Sequence, residues 1–159
     1  MNLNQAQSLI DEFVFDQEMQ QMVAEALNYC AALSAAVAMT HGFHEDEQDA
    51  AALLLEGISS APNYRDTEDY SKLPGWLRVQ LLTAEFGRIM SEAGEAIENI
   101  RKPGPDDHCP QFPGWHVEAI DILVRVFDTL GKRGIHPGEV FVAKTLVNNA
   151  RAHKHGKNS

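Results

Sequence analysis

The chain has 159 residues, 44% of them hydrophobic and 23% charged, with a formal net charge of −10. That length suits one domain with a real core. The acidic balance excludes a nucleic-acid polymer as the main partner, because phosphate backbones need a basic face, while it suits a cation site.

Residues 4–15 carry Leu9, Ile10, Phe13 and Val14 at helical spacing and predict a short amphipathic helix. Asp16 is the expected N-cap of a second helix, with Glu18 just inside it. That helix runs to about Thr40, and its Ala-rich, nearly apolar second half is expected to be buried. Gly42 stops it, and a third helix is expected over about 46–57, from the acidic run EDEQD to Gly57. His41 and His44 read as part of a polar loop, since spacing places no further metal ligand beside them. Ser59–Leu73, rich in turn residues and charges, reads as a connection between two helical halves.

Pro74–Lys102 predicts a long helix whose apolar stripe is Leu82, Phe86, Ile89, Ala93, Ala96, Ile97 and Ile100. Glu85 and Glu92 lie on its flank. A Pro/Gly-rich loop follows, holding Asp106, Asp107 and His108, and then a helix from about Trp115 to Gly131. Trp115, Ala119, Ile120, Ile122, Leu123, Val126, Phe127 and Leu130 cover most of that helix, as in an element inside a bundle. Its remaining stripe is Glu118, Asp121, Arg125 and Asp128, with Asp121 and Arg125 at ion-pair spacing. Pro137 opens a last helix to about Ala152, on which Lys144, Asn148 and Arg151 share one face. The expected fold is an all-α bundle of five or six helices in a single domain, 1–159. Residues 1–58 supply additional helices, and 74–152 the part that carries the chemistry.

The N-terminal stretch lacks a basic n-region and an apolar h-region, so no signal peptide is expected. No apolar run reaches the roughly 20 residues that span a bilayer, so no membrane partner is expected either. Cys30 and Cys109 stand at no metal-ligand spacing and fit a reducing cytoplasm.

Two acid pairs at i, i+3 stand out: Glu92 with Glu95, and Glu118 with Asp121. On two facing helices, four such carboxylates converge. Hard divalent cations take oxygen ligands, and the absence of an ExxH pattern favours Mg²⁺, or Mn²⁺, over a di-iron centre. A metal held this way can bridge phosphate oxygens, and Lys144, Asn148 and Arg151 offer groups for a polyphosphate or a base. The bland reading of the same residues is solvated helix faces and ordinary helix-end charges.

ExxE in SEAGEAIENIRK, ExxD in VEAIDILVRVFD and the ending AKTLVNNARAHKHGK together resemble the MazG-like nucleotide pyrophosphohydrolases of the all-α NTP pyrophosphatase superfamily. The resemblance covers about residues 75–157, roughly half the chain. It implies hydrolysis of (d)NTPs to the monophosphate and pyrophosphate, in nucleotide-pool house-cleaning. It implies Glu92, Glu95, Glu118 and Asp121 as Mg²⁺ ligands, and Lys144, Asn148 and Arg151 as substrate contacts. Glu95 and Glu98 are implied as the catalytic pair, with Glu98 an additional ligand, a positioner of the water or the base. A homodimer or homotetramer is also implied. The alternatives are a phosphoribosyl-ATP or dUTP/dUDP-type enzyme of the same superfamily and, from another class, a non-catalytic helical interaction module.

Overall fold

The computed structural model describes residues 2–41 and 73–151. Among the described residues there are five helices and no strand: α1 (Leu3–Phe15), α2 (Gln17–Thr40), α3 (Gly75–Arg101), α4 (Gly114–Gly131) and α5 (Pro137–Asn149). The all-α class is therefore as expected. The expected helix over 46–57, His44 and the connection before Leu73 lie outside the described residues.

The local chemistry sets the helix ends. Asn2 and Gln5 form a reciprocal capping box at the start of α1. The Asp16 carboxylate accepts from the Met19 amide at 3.0 Å and caps α2, as its side chain and position predict. Gln20 then donates to the carbonyls of Phe13 and Val14, at 2.8 and 3.1 Å, satisfying acceptors that the end of α1 leaves over. α5 stops at Asn149, so Arg151 follows the helix rather than lying on it.

The chain divides into two compact units, Met1–Cys30 with His136–Ser159, and Ala31–Ile135. In the first, Asn28 accepts from the Gly138 amide at 2.8 Å, capping the first turn of α5 beside the buried Pro137. In the second, α3 packs along α4, and Leu73, Leu77 and Leu81 are buried. The loop between those helices is pinned by Asp106 N–H to Phe112 O (3.0 Å) and Gly114 N–H to Gly104 O (2.9 Å).

Burial differs from the sequence expectation in three helices. On α2 only the alanine stripe Ala24, Ala31, Ala35 and Ala38 is buried, while Tyr29, Leu33, Val37 and Met39 are exposed. On α3 the packed face is Leu77, Leu81, Glu85 and Glu92, the side taken from sequence as a flank. Of the apolar stripe read from sequence, Leu82, Phe86, Ile97 and Ile100 are exposed, and Ile89, Ala93 and Ala96 are half-buried. On α4, Trp115, Ile120 and Leu123 are exposed as well. The physical reason is geometric: a helix packed on one side covers one face, however apolar the others are. α2 also corrects the expectation about membrane spans. By length and composition alone it is long and apolar enough to cross a bilayer, with an 18-residue window of mean hydropathy 1.4.

Candidate metal centre

Glu92 and Glu95 project from α3, and Glu118 and Asp121 from α4, all within the Ala31–Ile135 unit. The packing of the two helices brings one carboxylate oxygen each of Glu92, Glu95 and Glu118 within 4.8 Å of one another. Glu92 is buried, Glu118 half-buried and Glu95 exposed, so the group opens from the helix interface towards solvent. Asp121 stands outside that trio but within its field.

The electrostatics record the crowding. The Glu118 carboxyl is pushed up from its ordinary value, first by partial burial and then by the charges of Glu95, Glu92, Asp121 and Asp106. Asp121 is also pushed up, by burial and then by Glu92, against a smaller lowering from Arg125, with Asp106 and Glu95 adding to the rise. Like charges that share a site resist joint ionisation, and a cation relieves them. Three hard oxygen donors in such a field fit Mg²⁺ or Mn²⁺ and offer nothing to a soft metal.

Three neighbours were not assigned to this group from sequence. Arg125 donates from Nε to Glu92 Oε1, across the helix pair, instead of making the in-helix pair with Asp121 that spacing allows. Its position on the acid stripe of α4 was the signal that it belonged here. Asn99 donates to Glu118 Oε1 at 3.1 Å. A Cβ on Gly114 would come within 2.9 Å of the Asn99 Oδ1 and 3.0 Å of its Cγ, so the first residue of α4 leaves room for that amide. Asp106 accepts from the His108 and Cys109 amides at 2.8 and 2.7 Å, which holds its charge beside α4. Nothing in the sequence pattern singled out Asn99 or Asp106 for this place.

The remaining sequence candidates are not members of the trio. Glu98 is half exposed and ion-paired with Lys102 at 2.6 Å and Arg101 at 3.7 Å. Lys144, Asn148 and Arg151 are exposed residues of the other compact unit. No family model matches the chain, and neither does any curated protein or solved structure.

Proposed function

We propose that the protein is a Mg²⁺-dependent nucleoside triphosphate pyrophosphohydrolase of MazG-like type that converts (d)NTPs to monophosphate and pyrophosphate. The observation that carries this reading is the trio of carboxylate oxygens from two helices, converging within 4.8 Å. Glu92, Glu95, Glu118 and Asp121 would hold the ion, which supplies Lewis-acid stabilisation of phosphate oxygens when bound. Glu95, the most exposed of the trio, would be the member to orient a water and accept its proton. Glu98 shares that role only by leaving Lys102 and Arg101. Lys144, Asn148 and Arg151 are proposed to bind substrate through a point charge, an amide and a bidentate fork. The setting is the cytoplasm, and the role is nucleotide-pool house-cleaning.

A second reading, a non-catalytic helical module, is favoured by one feature. Arg125 and Asn99 already give Glu92 and Glu118 partners within the chain. Pyrophosphate release from a panel of NTPs and dNTPs, with and without Mg²⁺, separates the two. The enzyme reading expects Mg²⁺-dependent release, lost in Glu118→Gln and Asp121→Asn while the circular-dichroism helix signal is kept. No release with any nucleotide selects the module, and full activity in both variants removes the assignment of Glu118 and Asp121 to the metal.

A further inference from the structure

The two less exposed acids of the trio are each held by a donor from the facing helix. Arg125, on α4, donates from Nε to Glu92 Oε1 on α3. Asn99, on α3, donates from Nδ2 to Glu118 Oε1 on α4, at 3.1 Å. Glu95, the exposed member, takes a longer hydrogen bond of 3.4 Å from Ser91 of its own helix. The two cross-helix donors differ in kind. The Arg125 guanidinium brings a charge that offsets that of Glu92. The Asn99 amide brings none, so it fixes one oxygen of Glu118 and leaves the charge of the carboxylate in place. An ionised carboxylate has about four acceptor sites, and one hydrogen bond leaves the others open to a cation.

We propose that Asn99 is a positioning residue of the metal centre. Its amide, seated against the bare Cα of Gly114, holds Glu118 Oε1 so that the rest of the carboxylate is presented to the ion beside Glu92 and Glu95. The inference rests on the divalent-cation reading of the trio and adds to it a residue that no acid spacing marks. Asn99 follows Glu92 by seven residues and Glu95 by four, which places it on their side of α3. Gly114 precedes Glu118 by four residues, and a helical side chain leans over the turn before its own Cα. The Asn99 amide fills the space there: a Cβ on Gly114 would come within 2.9 Å of its Oδ1, 3.0 Å of its Cγ and 3.2 Å of its Nδ2.

A donor meant to quench Glu118 would be a cation. Lysine or arginine at position 99 would turn the acid into one half of an ion pair, as Lys132 and Arg133 do for Glu85. An amide orients without quenching, which is what a carboxylate that must still meet a metal needs. The sense of the amide is fixed by its partner, since the opposite sense would set Oδ1 against the carboxylate. Alanine at 114 would be the better helix former, but it would take away the room that the amide uses. Partners that orient a metal ligand in this way are typically worth about 10- to 100-fold in metal affinity.

Titration of the full chain with Mn²⁺, followed by the electron paramagnetic resonance of the free ion, tests this without relying on turnover. Asn99→Ala is expected to raise the Kd for Mn²⁺ about tenfold or more. Gly114→Ala is expected to raise it too while keeping the melting temperature, because the crowded atoms are the end of a side chain that can turn away from Glu118. In the Asn99→Ala background Gly114→Ala should add nothing, since the residue through which it acts is gone. A residue that only ties α3 to α4 would lower the melting temperature and leave the Kd alone, and that result in Asn99→Ala overturns the proposal. So does a Gly114→Ala effect of equal size with and without Asn99. If Asn99→Ala loses its helix signal, Gly114→Ala decides by itself, and an unchanged Kd there overturns the proposal. Glu118→Gln tells this failure from that of the cation reading. A wild-type chain that binds no Mn²⁺, or a Glu118→Gln chain that binds it as tightly as wild type, sinks the cation reading and the role of Asn99 with it. Weakened binding in Glu118→Gln, with Asn99→Ala and Gly114→Ala unchanged, sinks the role of Asn99 alone.

Discussion

Two acidic groups sit on the packed face of the same helix, one heptad apart, and the chain treats them in opposite ways. Glu85 is 3% exposed and meets Lys132 Nζ at 2.7 Å and Arg133 Nη2 at 2.8 Å. Burial alone would raise its carboxyl, but the hydrogen bonds from Arg133 and Lys132 and their charges outweigh that and hold it below its ordinary value. Among the described residues Glu92 has one cationic partner, Arg125, and is surrounded by Glu95, Glu118 and Asp121. Around Glu85 the cations outnumber the acid. Around Glu92 the acids outnumber the cation, and Glu118 and Asp121 are pushed up. Residue type and helix face are shared, so the difference lies in what α4 and its C-terminal turn bring to each. The first group's carboxylate is balanced in charge by Lys132 and Arg133, although its buried Oε2 accepts no hydrogen bond of good geometry among the described residues; the second carries excess negative charge at a partly open site.

The largest expected effect comes from breaking the balanced group. Glu85→Ala leaves Lys132, whose side chain is 3% exposed, and Arg133, at 14%, without their carboxylate. Removing one member of a buried ion-pair group is destabilising, by up to about 3–5 kcal/mol in chemical denaturation. A loss under about 1 kcal/mol would show that the two cations find other anions, and the contrast with the acid cluster would fail.

The acid-rich group is sharpened by supplying what it lacks. Millimolar Mg²⁺ is expected to raise the melting temperature of the full chain, and chelation to reverse the rise. A site at one hundred times its Kd gains about 2.7 kcal/mol by mass action. Glu118→Gln should remove most of that gain, and a potassium salt of equal ionic strength should not reproduce it. A shift of equal size in the variant would mean that the ion screens charge generally rather than binding between the helices.

How much of this was legible in the residues follows from what helical spacing encodes. The long helix, the apolar one after it and the Asp16 cap could be read because each depends on neighbours within a turn or two. The acid pairs could be read as pairs for the same reason. The Arg125–Glu92 bond could not, because it spans 33 positions and competes with an equally well spaced partner in Asp121. Asn99 has no local feature that marks it as a donor to Glu118. Periodicity also found the apolar stripe of α3, four of whose residues are exposed. A stripe shows that a face needs cover, and says nothing about whether the same chain supplies it.

The smallest effect is the pH dependence, and its sign differs between the two groups. For Glu118 and Asp121 the folded state holds protons more tightly than the unfolded chain. Their contribution therefore falls as pH rises from the ordinary carboxylate range through their raised values, and is least favourable above them. Glu85 runs the other way: its contribution is present above the ordinary value and is lost as pH falls through its lowered one. Metal-free stability should therefore pass through a shallow maximum in weak acid. Glu118→Gln should flatten the decline on the neutral side and leave the acid side alone. Saturating Mg²⁺ should flatten the same decline in the unmodified chain, since a cation favours the ionised carboxylates that protons otherwise neutralise. Stability that rises steadily up to neutral pH in chelator would mean that Arg125 and Asn99 already balance the acids, and the two groups would then be alike.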